Sequence, residues 1–510
     1  MAFDPTVSIA VIAIYLLITL GVGLLAWRRY PPVSFEDFVL AKRKIHWFTG
    51  FWSAAAAQFS ALSFMGFIAF YYKFGVAGYV AILGMYLFLT CSMYYFIADK
   101  AWKLGKRFGH ITPADVLGEY FSSKYYRYLV GIALILALVP YLQVQYAGVG
   151  ILLDIATGGL VPFWLGGLIL YIIMLAYTWA GGMRSVVWTD TIQGIIMLGA
   201  MLFGGFTLVF LIQGGIGAAY NHILEKIGPE FFTIPDRTGV WKWDYLLAWA
   251  IPVGLGWILH PHMWARLYYF ERGHVVKYYP FVAGFIEYLL QTGGWIVVLA
   301  GVLILPNVSP DQYLLMTYRM YFPTVLFGLI AAAGLAAMMS SAAAQNHAVG
   351  MVVTRDIIHT AEANVSDRTE VLITRIAIAV VGFIAYLTAV FGYSLLLTSG
   401  AAAASLATAS ILPQIATAMY GVSRIGPVKL TKEGAIGGSF AGLIITLVLF
   451  LSPTLSKSIG LYPGIWGLAA NIAAFIVVSA FTKTAVDELK AIEWKRTTEI
   501  PITIFEEREK

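Results

Sequence analysis

Two stretches of this chain combine apolar composition with the kind of polar groups that hold a small cation. Phe51–Gly66 reads FWSAAAAQFSALSFMG and Ala336–Gln345 reads AAMMSSAAAQ. Both are apolar enough for a bilayer, yet crowded with Ala, Ser and Gly where a lipid-facing helix would carry larger apolar side chains. The first also holds a lone amide, Gln58. Sodium is a hard cation that needs several oxygens. The adjacent hydroxyls of Ser340 and Ser341, with carbonyls released at a broken helix, can supply them without a buried carboxylate. The alternative is that both serines bond carbonyls one turn back on their own helix. The expectation is that the two stretches are halves of one site for an ion and a solute.

Other polar groups lie inside apolar runs. Glu287, with Gln291 one turn on, is an intramembrane acid and so a functional candidate. It either carries a proton or bonds to a neighbouring helix as a neutral acid. His260 and His262 flank Pro261. Residues at i and i+2 do not share a helix face, which argues against a metal pair, while His260 could reach a carboxylate. His347 has no assignable role.

The elements that must position these groups are membrane spans. The 510 residues are 60% hydrophobic and only 12% charged, about half the charge of a soluble domain. The 15 Trp and 30 Tyr fit interfacial belts. A single cysteine, Cys91, excludes an internal disulfide or a cysteine metal cluster. The first apolar run, 8–27, lacks a basic leader and a cleavage site, and reads as a retained span. Twelve more runs follow, at 47–72, 78–98, 129–153, 161–180, 185–212, 245–265, 280–305, 323–354, 372–391, 394–420, 434–452 and 464–482, predicting an all-α polytopic membrane protein of about thirteen helices. With the N-terminus outside, the inner face holds all of the 33 Lys and Arg except Lys73, Lys226, Arg237, Lys242, Arg319 and Lys457. That asymmetry predicts an outer N-terminus and a cytoplasmic C-terminus.

Between the third and fourth spans, Thr112 and Pro113 read as the cap and first position of a short helix. Gly/Pro interruptions around Thr49–Ser60 and Pro252–His262 stand five spans apart, the trace left by inverted repeats. The expected organisation is one transport domain, 1–510. It has an extra N-terminal helix (8–27), repeats over 47–212 and 245–420, two C-terminal helices (434–482) and a cytoplasmic tail (483–510) too short for a catalytic or sensor domain.

Four motifs carry a family resemblance over almost the whole chain. Gly181-Gly-Met-Arg-Ser-Val-Val-Trp-Thr-Asp-Thr-Ile-Gln193 resembles the signature of the sodium/solute symporter family. Ala336–Ser341 followed by Asp356 is similar to its sodium-site helix, Pro261-His262 with Arg266 to its helix-end pattern, and Gly464-Ile-Trp-Gly-Leu-Ala-Ala-Asn471 to its final helix. The resemblance implies a leucine-transporter-type core of two inverted five-helix repeats and sodium-driven uptake by alternating access. It further implies that the sodium ligands are the carbonyls of Ala56, Phe59 and Ala337 with the hydroxyls of Ser340 and Ser341.

Asp190 matches the signature aspartate on the ion's cytoplasmic route, and is also a first-turn acid favoured by the helix dipole. His262 fits the family pattern as a structural residue near the inner end. Gln58 stands where many members carry a polar substrate-pocket residue. Val139-Pro-Tyr-Leu-Gln-Val-Gln-Tyr146 resembles the monocarboxylate-uptake branch, so Gln143 or Gln145 either donates to a carboxylate or knits helices together. The implied function is sodium-coupled import of a monocarboxylate or small amino acid into the cell. Alternatives are a proton-coupled relative using Glu287, or a proline- or pantothenate-type symporter. Sodium, the solute and the lipid bilayer are the expected partners; no nucleic acid or obligatory protein partner is indicated. The chain has no H-E-x-x-H and no G-x-S-x-G, and nothing else supports an embedded enzyme.

Overall fold

The computed structural model describes residues 3–361, 365–392 and 395–508. Lys510, and Ser394 at the head of one expected span, lie outside them. Ten helices among the described residues are long and apolar enough to cross a membrane, or twelve if each of two bent pairs is one span. In chain order these are α1 (Pro5–Arg29), the bent pair α2 (Trp47–Gln58) and α3 (Leu62–Phe74), α4 (Val76–Phe108), α5 (Lys124–Ala156) and α6 (Gly181–Gln213). The second bent pair, α7 (Trp243–Leu259) and α8 (Pro261–Tyr268), precedes α9 (Gly273–Gly301), α10 (Thr324–Ala361) and α11 (Asp367–Gly392). Then come α12 (Leu396–Met419), α13 (Lys432–Leu451) and α14 (Pro463–Phe481). The run expected over 161–180 falls on the first part of a helix that starts at Phe163 and continues into α6 across a kink at Gly182.

α10 is the most enclosed span, with 83% of its most apolar stretch buried. It packs against α1, α5, α6 and α11, which explains its small side chains: only Ala, Gly and Ser let several backbones approach one helix. The signature motif opens α6. Gly182 has φ +57°, and a Cβ there would lie 2.5 Å from the Phe38 carbonyl oxygen, so a kink and a close approach both require glycine. At the far end of the bundle, Pro413 in α12 lacks the amide that would bond Ala409 O. Asn471 of α14 supplies a donor instead, 2.7 Å from that oxygen.

The short helix expected between the third and fourth spans is present, and the other connections hold more structure than expected. Thr112 caps Pro113–Tyr120, its hydroxyl accepting from Asp115 N. The 213–244 connection contains the helix Ile216–Lys226. The tail forms two helices, Glu488–Glu499 and Ile502–Arg508. Trp494 of the first is buried and stacks on Phe108 with ring centroids 5.6 Å apart. Lys103 of α4 donates to Thr498 O at 3.0 Å, and Glu506 accepts from Gly273 N at the start of α9. The tail therefore straps α4 to α9.

Candidate functional site

The site is built where α2 ends. The backbone leaves helical geometry at Phe59 and α3 departs at 56°. A helix broken here orphans the carbonyls of residues 56–59 and the amides of the next turn, and every such group needs a partner. Ser340 donates to Ala56 O at 2.9 Å and Phe59 O at 3.5 Å, Ser341 to Ala57 O and Phe59 O, both at 3.1 Å. Ser63 donates to Gln58 O at 2.8 Å. On the amide side, Gln145 Oε1 accepts from Ala61 N at 2.9 Å, and Ser60 Oγ accepts from Leu62 N at 3.1 Å and Ser63 N at 3.4 Å.

Ser340 also bonds Ala337 O on its own helix at 2.9 Å, the local bond expected of a membrane serine. Ala56, Phe59, Ala337, Ser340 and Ser341 thus converge on one buried cluster of carbonyl and hydroxyl oxygens.

Beside this cluster, Ala57, Gln58, Tyr94, Tyr141, Trp257, His262 and Met263 enclose a cavity of about 10 Å³, on the order of a single water. Its outline separates the expected residues by position. His260, expected to reach a substrate, does not line it; His260 Nδ1 lies 3.0 Å from Gly256 O, in the break between α7 and α8. His262, expected to be structural, does line it, with both ring nitrogens buried and unpartnered. The proline between them explains their placement: the backbone turns at His260 and α8 restarts at Pro261, so helical spacing does not apply across the pair. Gln143 donates to Thr388 O of α11 at 2.8 Å. Gln145 is committed to the α2–α3 break. Both therefore knit helices and neither lines the cavity. Tyr141 and Trp257 escaped sequence reasoning because buried aromatics are common in any span.

Asp190 lies one layer away. Its Oδ2 accepts from Ser53 Oγ at 2.7 Å and from Arg266 Nη2 at 3.1 Å, with both partners fully buried. Arg266 also donates to His262 O at 2.8 Å and Ser53 O at 3.3 Å. This clamp joins α2, α6 and α8. Glu287 is fully buried in α9, and Gln291 Nε2 donates to its Oε1 at 2.7 Å. His347 is buried with its ring 5.2 Å from Phe38.

A second charged cluster sits at the ends of α5 and α10. Asp115 pairs with Arg127 and accepts from Arg355 Nε at 3.0 Å, while Arg127 and Thr112 both donate to Asp356 Oδ1. Burial works against the charge on Asp115, but the guanidiniums of Arg355 and Arg127 outweigh it and hold the carboxyl below the ordinary range.

A family model described as the sodium:solute symporter family matches residues 38–442, which contain the whole site. The chain belongs to that family. This symporter is 25% identical to the uncharacterized symporter YodF of Bacillus subtilis (strain 168), covering 94% of each chain. It is 25% identical to the sodium/pantothenate symporter of Haemophilus influenzae (strain ATCC 51907 / DSM 11121 / KW20 / Rd), over 68% of this chain and 70% of that one. It is likewise 25% identical to the high-affinity proline transporter PutP of Bacillus subtilis (strain 168), over 91% and 95%. A solved Na⁺-coupled sialic acid symporter superposes with a TM-score of 0.74 at 17% identity, covering 94% of this chain and 98% of that one. The shared fold is the leucine-transporter type. The protein is a multi-pass membrane transporter that couples solute movement to sodium, and not an enzyme.

Proposed function

We propose that this symporter imports a small carboxylate, a monocarboxylate or small amino acid, together with sodium held by Ala56, Phe59 and Ala337 carbonyls and the Ser340 and Ser341 hydroxyls. The observation that carries the ion reading is the convergence of those five oxygens at the α2–α3 break. A rotation of each hydroxyl turns a lone pair toward an arriving cation, and the cation replaces the hydrogen bonds the carbonyls lose. The solute binds in the adjacent cavity, which opens on alternation between outward- and inward-facing states. Gln58, Tyr94 and the one ring N–H of neutral His262 supply donors there, and among the described residues no charged side chain lines the cavity. Neutral donors with sodium alongside suit a carboxylate. Proline and pantothenate, named for two relatives, are both carboxylates. The asymmetry of the basic residues supports an outer N-terminus, and in this reading repeats over 47–212 and 245–420 form the moving core.

Energetics separates the candidates. One sodium crossing about 100 mV yields about 2.3 kcal/mol, and a tenfold sodium gradient adds about 1.4 kcal/mol. A zwitterion carried 1:1 draws on both and accumulates several-hundredfold. A lactate-like anion carried 1:1 moves no net charge and accumulates about tenfold.

The test is uptake of labelled lactate into proteoliposomes under an inward sodium or potassium gradient, with unlabelled pyruvate, proline, alanine and glucose as competitors. Sodium-stimulated uptake blocked by pyruvate is expected for a monocarboxylate, and blocked by proline or alanine for a small amino acid. Competition by glucose alone, or no sodium stimulation, refutes the carboxylate reading.

A further inference from the structure

Glu287 is the one fully buried acid near the α2–α3 break that no cation partners among the described residues. Its Oε1 accepts from Gln291 Nε2, and its Oε2 has no hydrogen-bond partner. Gln291 reaches onward in two directions. Its Nε2 donates to Ser63 O at 3.2 Å, and its Oε1 accepts from Tyr71 OH at 2.8 Å. Ser63 in turn donates to Gln58 O at 2.8 Å. The carboxyl is thereby tied, through two side chains, to the broken backbone beside the cavity.

The polar groups around it come from its own helix and three others. Its own helix offers the neutral Gln291, α3 the hydroxyls of Ser63 and Tyr71, α5 the phenol of Tyr141. The Cys91 thiol of α4 lies against Gly284, one turn away. None of these is a cation. An ionised carboxylate with a bare oxygen, deep in an apolar bundle, is held at a penalty that hydrogen bonds from one amide do not offset.

We propose that Glu287 is a second coupling site, binding and carrying one proton alongside sodium. The proposal rests on the sodium-coupled carboxylate reading above. A second sodium does not fit, because a hard cation needs several oxygens and Gln291 presents its amide NH₂, not its oxygen, to the carboxyl. A proton needs one oxygen, and Oε2 is free. Binding forms one O–H bond on Oε2 with a proton taken from outside water. Release on the inner side breaks that bond and returns the proton to water, with no change of oxidation state. The consequence is electrical: a carboxylate anion, one sodium and one proton together move one positive charge, so the membrane potential adds to the driving force that a 1:1 anion symporter would forfeit.

The experiment has two arms. In the first, infrared spectra of the purified wild type in H₂O and D₂O are compared with those of Glu287→Gln and Glu287→Asp, with folding checked by size-exclusion elution. The expected result is a deuterium-sensitive protonated-carboxyl band at neutral pH, missing in the glutamine variant and present in the aspartate one. A wild-type spectrum whose carboxyl bands are unchanged by Glu287→Gln overturns the proposal. The second arm loads wild-type proteoliposomes with a pH dye and follows the sodium-dependent part of labelled-lactate uptake at clamped potential. About one proton per lactate is expected, and each unit of inward pH gradient should multiply the sodium-dependent lactate ratio about tenfold. Lactate entry with sodium but without protons also overturns it. If lactate does not enter in sodium at all, the substrate reading has failed and the infrared arm decides the proton site alone.

Discussion

Removing the charge of Asp190 should uncover how much the buried clamp contributes. Asp190→Asn leaves Arg266 buried without its counter-ion, a change that costs about 3–5 kcal/mol in comparable sites. Arg266 keeps the carbonyls of His262 and Ser53 as acceptors, which places this variant near the lower end, about 3 kcal/mol. Arg266→Gln is worse: it leaves the carboxylate with the Ser53 hydroxyl as its remaining partner and strands His262 O as well, for about 4–5 kcal/mol. The double variant Asp190→Asn/Arg266→Gln removes both charges together, and so should be more stable than Arg266→Gln alone. The assay is the folded fraction of each variant in detergent against rising denaturant, read by size-exclusion fluorescence, with the three variants and wild type forming a cycle. Single-variant losses that simply add in the double variant would refute the buried-pair reasoning.

The other predictions are narrower. Ser341→Ala strips Ala57 O of its hydroxyl partner while Phe59 O keeps Ser340; the sodium concentration for half-maximal uptake should rise about 10–100-fold, with Ser341→Thr much milder. Gln145→Leu orphans the Ala61 amide and should lower stability by about 1–3 kcal/mol, whereas Gln143→Leu should leave the solute KM unchanged in the uptake assay. Trp494→Ala empties the tail's buried anchor, and denaturation should show a loss of about 3–5 kcal/mol. Because Asp115 is held below the ordinary carboxylate range, its stabilisation is complete above about pH 4 and fades as pH falls through its lowered folded value. The stability gap between wild type and Asp115→Asn should therefore shrink as pH falls below about 4.

Much of this protein is written in its linear order. Hydrophobic run length sets where helices cross, because a bilayer core demands about 20 apolar residues per span, and the small-residue stretches at 51–66 and 336–345 mark the two helices that must lie closest to others. The interruption at Thr49–Ser60 and the proline at 261 announce broken spans, and both are bent. The serine pair and the orphaned carbonyls could be matched because a broken helix must find partners for its backbone groups. The runs at 161–180 and 185–212 form one kinked helix, because Gly182 bends the backbone without ending it.

Tertiary structure decided the rest, wherever a side chain had several possible partners. Gln143 and Gln145 are two residues apart on α5 and face different neighbours, one a carbonyl of α11, the other an amide at the α2–α3 break. His262 lines the small cavity and His260 does not, because the non-helical turn between them breaks the spacing on which face assignments depend. Asp190 met its arginine 76 residues away, and the tail found the grooves of α4 and α9. A sequence states which polar groups an apolar bundle must satisfy; which group satisfies which depends on distances that exist only once the helices are packed.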